Sequence, residues 1–211
     1  PFAERYEKEH GWTPIIATNA PPYRQSPDHE TDPNHIVLIH HGSALRDRKL
    51  ETLIEMMPLL DGRFSLDLMI AADKNGYVDE LRQLAERIAP GRIVFRQPVA
   101  YEQVVQTIAD ADIQVAFMAP TTYTWLMTLP NKIFESMMAG LAILVGPSPA
   151  MADVVRTANA GWVAEGFTAQ DLARTLNALT IEDIREKRRA SRAAAKLTNA
   201  ETEIGKILDL Y

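Results

Sequence analysis

Between Ile36 and Val163, short apolar runs alternate with segments whose apolar residues recur every three or four positions. This alternation restricts the chain to a sheet of parallel strands joined by crossover helices. Ile36-Val-Leu-Ile39 is the first run and ends at His40-His-Gly42. Residues 46–60 then place Leu50, Leu53, Ile54, Met57 and Leu60 on one helical face. Leu66–Ala72 reads as a second strand, followed by a helix over 77–89 carried by Val78, Leu81, Leu84, Ala85 and Ile88. Ile93-Val-Phe95 precedes a helix with Tyr101, Val104, Val105 and Ile108. Ile113–Phe117 and Ala142–Val145 are further strands, separated by a helix near 131–139, and Gly161-Trp-Val163 is the last. Several runs are apolar on consecutive positions, as expected of strands covered on both faces. The predicted class is α/β, a doubly wound, Rossmann-like parallel sheet. Ligands of such sheets bind beyond the carboxyl ends of the strands. That directs attention to the loops at 40–49, 72–77, 96–101, 118–131 and 146–150.

Ahead of this pattern, residues 1–11 are polar enough for a short surface helix, and Thr13–Thr18 suits a short strand. Asn19-Ala-Pro-Pro22 opens a stretch to Pro33 rich in Pro, Asp and Ser, which sustains neither helix nor central strand. It reads as a linker or a disordered tail. The boundaries expected are 1–33 for a preceding unit and linker, 34–195 for the α/β domain and 196–211 for a C-terminal helix.

The 211 residues carry a formal net charge of -6, whereas a nucleic-acid-binding domain usually has a basic surplus. With no cysteine, the chain has neither disulfides nor thiolate chemistry. No apolar run approaches the roughly 18 residues of a membrane span. The chain begins at Pro1 without Met or a signal-peptide pattern, so a fragment of a cytoplasmic protein is expected.

Two loops hold residues suited to an anion. Gly42-Ser-Ala-Leu-Arg-Asp-Arg48 lacks both dinucleotide fingerprints, but sets a glycine after a strand and puts Arg46, Arg48 and Lys49 around a helix start. Amides there, with Arg48 as a charged clamp, suit a phosphate; a solvated basic turn is the plainer reading. In Leu129-Pro-Asn-Lys-Ile-Phe-Glu135, Pro130 suits the first helical position. The amides of Asn131 and Lys132 would then be free. A helical wheel puts Ile133, Phe134, Met137 and Met138 on one side and Lys132, Glu135, Ser136 and Ala139 on the other. The predicted helix packs with its first side, while Lys132 and Glu135 face outward toward a ligand or form an ordinary surface pair.

The segment Leu129–Val145 resembles the nucleotide-binding signature of retaining GT-B glycosyltransferases, P-N-K-x-F-E-x-x-x-A-G-x-P-V. Ile36–Leu50 is similar to that family's strand–glycine–loop–helix element, Ile93–Tyr101 to the strand and loop bordering the base, and Ala109-Asp-Ala-Asp112 to its "A-D" element. Thr13–Tyr23 is similar to the stretch where an acceptor domain ends. The resemblance covers essentially the whole chain.

It implies one half of a GT-B architecture, the C-terminal domain that binds a UDP- or GDP-linked sugar without metal or cofactor. The missing partner is the enzyme's own N-terminal acceptor domain. Carried over residue by residue, Glu135 matches the acid on the ribose hydroxyls and the backbone of Asn131 and Lys132 the amides on the diphosphate. Arg48 matches the usual first-loop lysine. Gly42, Ser43 and Val99 complete the expected donor site. Two positions depart from the pattern. The glutamate usually found eight residues before the ribose acid is Met127, and the arginine often found after the first-loop glycine is Ser43. The loop Thr121–Leu129 holds no acid, although Thr121, Thr122, Tyr123 and Trp125 offer other contacts. No catalytic residue is therefore assigned. A non-catalytic module with a decayed donor site and a GT-B sugar-nucleotide epimerase stand as alternatives.

Outside this pattern, His40 and His41 are potential ligands or bases, but neighbouring strand residues point to opposite faces, which disfavours a shared metal. Arg185–Lys196 contains six basic residues, suited to a solvated helix face or to peripheral membrane contact of a full-length enzyme.

Overall fold

A computed structural model describes residues 2–71 and 75–209. The chain begins with helix α1 (Phe2–His10), and the first strand, β1, spans Ile36–Ser43. There follow α2 (Glu51–Met56), β2 (Phe64–Ala71), α3 (Tyr77–Ile88), β3 (Ile93–Arg96), α4 (Tyr101–Ile108) and β4 (Ile113–Ala116). Next come α5 (Tyr123–Met127), α6 (Lys132–Ala139), β5 (Ala142–Val145), α7 (Pro149–Thr157) and β6 (Gly161–Val163). The chain closes with α8 (Ala169–Asn177), α9 (Ile181–Ala195) and α10 (Ala200–Leu208). The strands form one parallel sheet in the order β3-β2-β1-β4-β5-β6. Chain progression reverses between β1 and β4, so their carboxyl ends flank a crevice that no crossover covers.

Each sheet face has its own apolar layer. Ile36, Leu38, Leu66, Leu68, Ile113 and Val115 meet α2, α3 and α8 in one cluster. On the other face, Ala116, Ile143 and Val145 pack with Ile133 and Met137 of α6 and Met151 and Val155 of α7. Each Val, Leu, Ile or Met side chain among these contributes about 1.5–3 kcal/mol on full burial.

The structure departs from the sequence expectation in several elements. Thr13–Thr18 forms no strand; the Thr18 amide donates instead to Glu203 of α10. The helix expected over 46–60 is broken into a 3₁₀ turn (Arg46–Arg48), α2 and a second 3₁₀ turn (Met57–Leu59). Lys49, with φ 53°, ends the first turn, and Pro58 lies in the second. The strand predicted to reach Ala72 is described to Ala71, and most of the loop expected at 72–77 lies outside the described residues.

The proline-rich stretch lies against the domain. The Ala200 amide donates to Pro21 O, the Tyr23 amide to Glu201, and Ser26 Oγ to Met138 O. Asp112, immediately before β4, is the knot of this arrangement. Its Oδ1 accepts from Thr31 Oγ1 at 2.7 Å and meets Arg188 Nη1 at 3.4 Å, while its Oδ2 accepts from the Val37 amide at 2.9 Å.

Candidate functional site

At the carboxyl ends of β1 and β4 lies a cleft of about 400 Å³. Its lining includes His41, Gly42, Ser43, Arg48, Trp125, Asn131, Lys132 and Glu135. Six of the seven predicted donor-site residues therefore meet in one place. Val99 does not: it packs against the cluster of Ile39, Met69 and Ile108. A larger groove, about 550 Å³, lies along Arg82–Ala89 and Gly91–Phe95, toward the amino end of β3. Its place on the edge strand β3, with β2 between it and β1, separates it from the crevice the topology creates.

Gly42 forms the floor. Its φ of 125° is one that side-chain-bearing residues rarely adopt. A Cβ there would stand 3.6 Å from Lys132 Nζ and 3.7 Å from Arg48 Nη1. Two cations thus converge on a bare stretch of backbone, and among the described residues neither forms an ion pair. Arg48 donates to Ser43 O at 3.1 Å and lies over the Trp125 ring, 5.3 Å from its centroid. Its Nε is buried without a hydrogen-bond partner. Burial lowers the Arg48 pKa, and burial followed by repulsion from Arg48 brings Lys132 down to about 7.

Of the three basic residues expected around this loop, only Arg48 reaches the cleft. Arg46 turns to Glu80, pairing through both guanidinium nitrogens at 2.7 and 2.6 Å, and Lys49 is exposed. The short 3₁₀ turn also moves the start of α2 to Glu51, so the first loop offers an arginine and a glycine rather than a helix terminus.

The second helix terminus does reach the cleft. Asn131 caps α6 with a helical backbone and no side-chain cap, so Pro130 stands one residue before the cap rather than at the first helical position. Among the described residues, the Asn131 and Lys132 amides have no acceptor; the first amide satisfied is that of Ile133, by Pro130 O at 3.1 Å. Two free N–H groups at a helix N-terminus are suited to an anion.

Lys132 and Glu135 line the cleft but do not form a solvated surface pair: every residue of α6 is buried. The helix is enclosed by β4 and β5 and by α4 and α9, and a fully enclosed helix has no solvent side. Its polar residues instead find partners at the end of β1. His40 donates from Nδ1 to Val115 O at 2.8 Å, leaving Nε2 to accept from Lys132 Nζ at 3.1 Å. Burial, and then the charge of Lys132, hold His40 well below the usual imidazole range. His41 donates from Nε2 to Glu135 Oε2 at 2.8 Å, and its Nδ1 lies 2.9 Å from Gln114 Oε1. The histidines serve different partners instead of a common ligand.

Sequence reasoning named both histidines without their roles, and missed Gln114. A polar residue within the run Ile113–Phe117 was the available signal, because such a residue needs a buried partner. Tyr101, opening α4, lies close enough for the Glu135 charge to add to burial in raising its phenol pKa.

The loop Thr121–Leu129 supplies contacts but no carboxylate. Thr121 Oγ1 donates to Asp47 O, Thr122 caps α5, and Met127 is not among the cleft-lining residues. The basic run on α9 is largely occupied by ion pairs: Arg185 with Glu30, Arg188 with Asp112, Arg189 with Glu182 and Arg192 with Asp28. Among the described residues, no helix is long and apolar enough to cross a membrane.

An all-parallel sheet in this order is a Rossmann-like α/β fold, shared with GT-B glycosyltransferases. The chain belongs to the family described as Glycosyl transferases group 1, which matches residues 35–182. Among solved structures, it is similar to sucrose-phosphate synthase from Thermosynechococcus elongatus: 17% identity, TM-score 0.73, covering 99% of this chain and 55% of that one. Anabaena HepE, solved in complex with UDP and glucose, has 18% identity and a TM-score of 0.70, covering 84% and 48%. WaaG, a glycosyltransferase involved in lipopolysaccharide biosynthesis, has 17% identity and a TM-score of 0.60, covering 99% and 50%. The chain therefore spans about half the length of these proteins. At such identities the likeness is one of fold. A comparison with curated protein sequences returned no match.

Proposed function

We propose that this chain is the donor-binding half of a glycosyltransferase and that its cleft holds the nucleoside diphosphate of a UDP- or GDP-linked sugar. The observation that carries this reading is the convergence of Lys132 and Arg48 on Gly42, without a carboxylate between them. A diphosphate there would accept from both cations and from the free Asn131 and Lys132 amides. It would also relieve the repulsion that lowers Lys132. The same contacts would stabilise charge on the departing diphosphate as the bond to the sugar breaks. Glu135, in the same cleft, suits the ribose hydroxyls because an ionised carboxylate accepts from both. The acceptor would come from outside this chain, and the loop Thr121–Leu129 offers no acid for transfer.

Isothermal titration with UDP and GDP tests the reading. The parent is expected to bind one of them without turnover, and Glu135→Ala to bind it more weakly. Equal affinity in the two proteins would remove Glu135 from the site. No binding of either nucleotide by the parent would favour a module whose donor site has decayed.

A further inference from the structure

We infer that His41 is a positioning residue for the ribose: it holds Glu135 so that one carboxylate oxygen is fixed and the other is presented to the cleft. This rests on the donor-binding reading above. Glu135 Oε2 accepts from His41 Nε2 at 2.8 Å, while Oε1 has no hydrogen-bond partner among the described residues. The other edge of the imidazole faces Gln114, whose Oε1 lies 2.9 Å from Nδ1. The Gln114 amide nitrogen in turn faces Val115 O at 3.4 Å. His41 is 4% exposed, Glu135 6% and Gln114 0%, so the chain Gln114–His41–Glu135 runs from the interior of β4 to the wall of the cleft.

A glutamate has three side-chain torsions, and one that must meet two ribose hydroxyls loses affinity for every rotamer it samples while empty. His41 removes that freedom before the ligand arrives. β1 and α6 are both rigid elements, so the carboxylate is set by scaffold rather than by loop. The arrangement also explains why a polar residue is tolerated in the apolar centre of β4. Without Gln114 the imidazole would lose the contact that fixes its tilt.

A structural role alone would make His41 matter for folding and equally for every ligand. Positioning Glu135 makes it matter only for ligands that have ribose hydroxyls. The test is therefore a cycle between protein and ligand, using UDP or GDP, whichever the parent binds more tightly, and its 2′,3′-dideoxy form. Two variants separate the edges of the ring. His41→Asn places an amide near the Nδ1 position and cannot reach Glu135. His41→Gln places one near Nε2 and can.

The parent should prefer the ribose form by at least about tenfold, the effect of a single hydrogen bond to a charged group, since two hydroxyls are removed. His41→Asn should lose most of that preference while binding the dideoxy form as the parent does, and His41→Gln should restore it. Circular dichroism and melting curves establish that each variant folds. Should His41→Asn fail to fold, Gln114→Ala, which loosens the ring while leaving Nε2 in place, should lower the same preference. A preference unchanged in the folded variants overturns the inference and leaves the donor site standing. A parent that does not distinguish the ribose form from the dideoxy form overturns the ribose role of Glu135 as well.

Discussion

A lysine buried beside an arginine, with no ion-pair partner among the described residues, is easier to deprotonate than one in water. Lys132, with its pKa at about 7, is in that position. The unfolded chain binds this proton up to the ordinary lysine range, so between pH 7 and that range folding releases it and stability rises with pH. Below pH 7 the full desolvation penalty remains. Binding should act in the opposite direction, because a diphosphate favours the charged form. Titrating UDP at pH 8 in buffers of different ionisation enthalpy should show uptake of up to one proton, and affinity should fall as pH rises above 7. The second phosphate ionisation, near 6, is complete by then and does not mask the effect. Lys132→Met should abolish the uptake and weaken binding while raising the melting temperature of the empty protein. An apolar side chain of similar volume removes the desolvation cost that lowers the Lys132 pKa. Gly42→Ala should do the reverse of a neutral change in both respects. It strains the backbone at a φ of 125° and puts a methyl group between the two cations, so binding of UDP and melting temperature should both fall.

Among the elements, α6 shows where sequence was informative and where it was not. Its start was legible from Pro130; at its end Gly140 takes φ 75°, with the Gly140 and Leu141 amides returning to Met137 O and Ser136 O in a Schellman-type turn. Its surroundings were not legible. A helical wheel reports which residues share a side, but the burial of the polar side depends on His40 and His41, 90 or more positions away in the chain. Thr13–Thr18 failed for the related reason that β-propensity cannot supply a neighbouring strand. The Asp112 junction is another contact set made by distant segments. Asp112→Ala would leave Arg188, 4% exposed, without its buried carboxylate. The expected loss is about 3–5 kcal/mol. Calorimetry should show a melting temperature lower by roughly 10 °C. A loss below about 1 kcal/mol, small for a broken buried pair, would mean that the exposed Asp28 is sufficient for Arg188.

For the whole molecule, the alternation of apolar runs with amphipathic segments identified the parallel sheet and the loops at its carboxyl ends, because both follow from periodicity and connection rules. Strand order places the end of β1 beside that of β4 and thereby assembles Gly42, Arg48 and Lys132 into one cleft. Residues 42 and 132 are far apart in sequence, and no local signal joins them; the resemblance to GT-B glycosyltransferases supplied that link. Val99, which the same resemblance placed at the donor, lies outside the lining of that cleft, its side chain partly buried against Ile39, Met69 and Ile108. The most direct test of the account is a crystal structure of this chain grown with UDP. The diphosphate should lie over Gly42, between Lys132 Nζ and the Arg48 guanidinium, with the ribose hydroxyls on Glu135. A nucleotide bound elsewhere on the domain, or a diphosphate turned away from Gly42 with Lys132 still on His40, would contradict it.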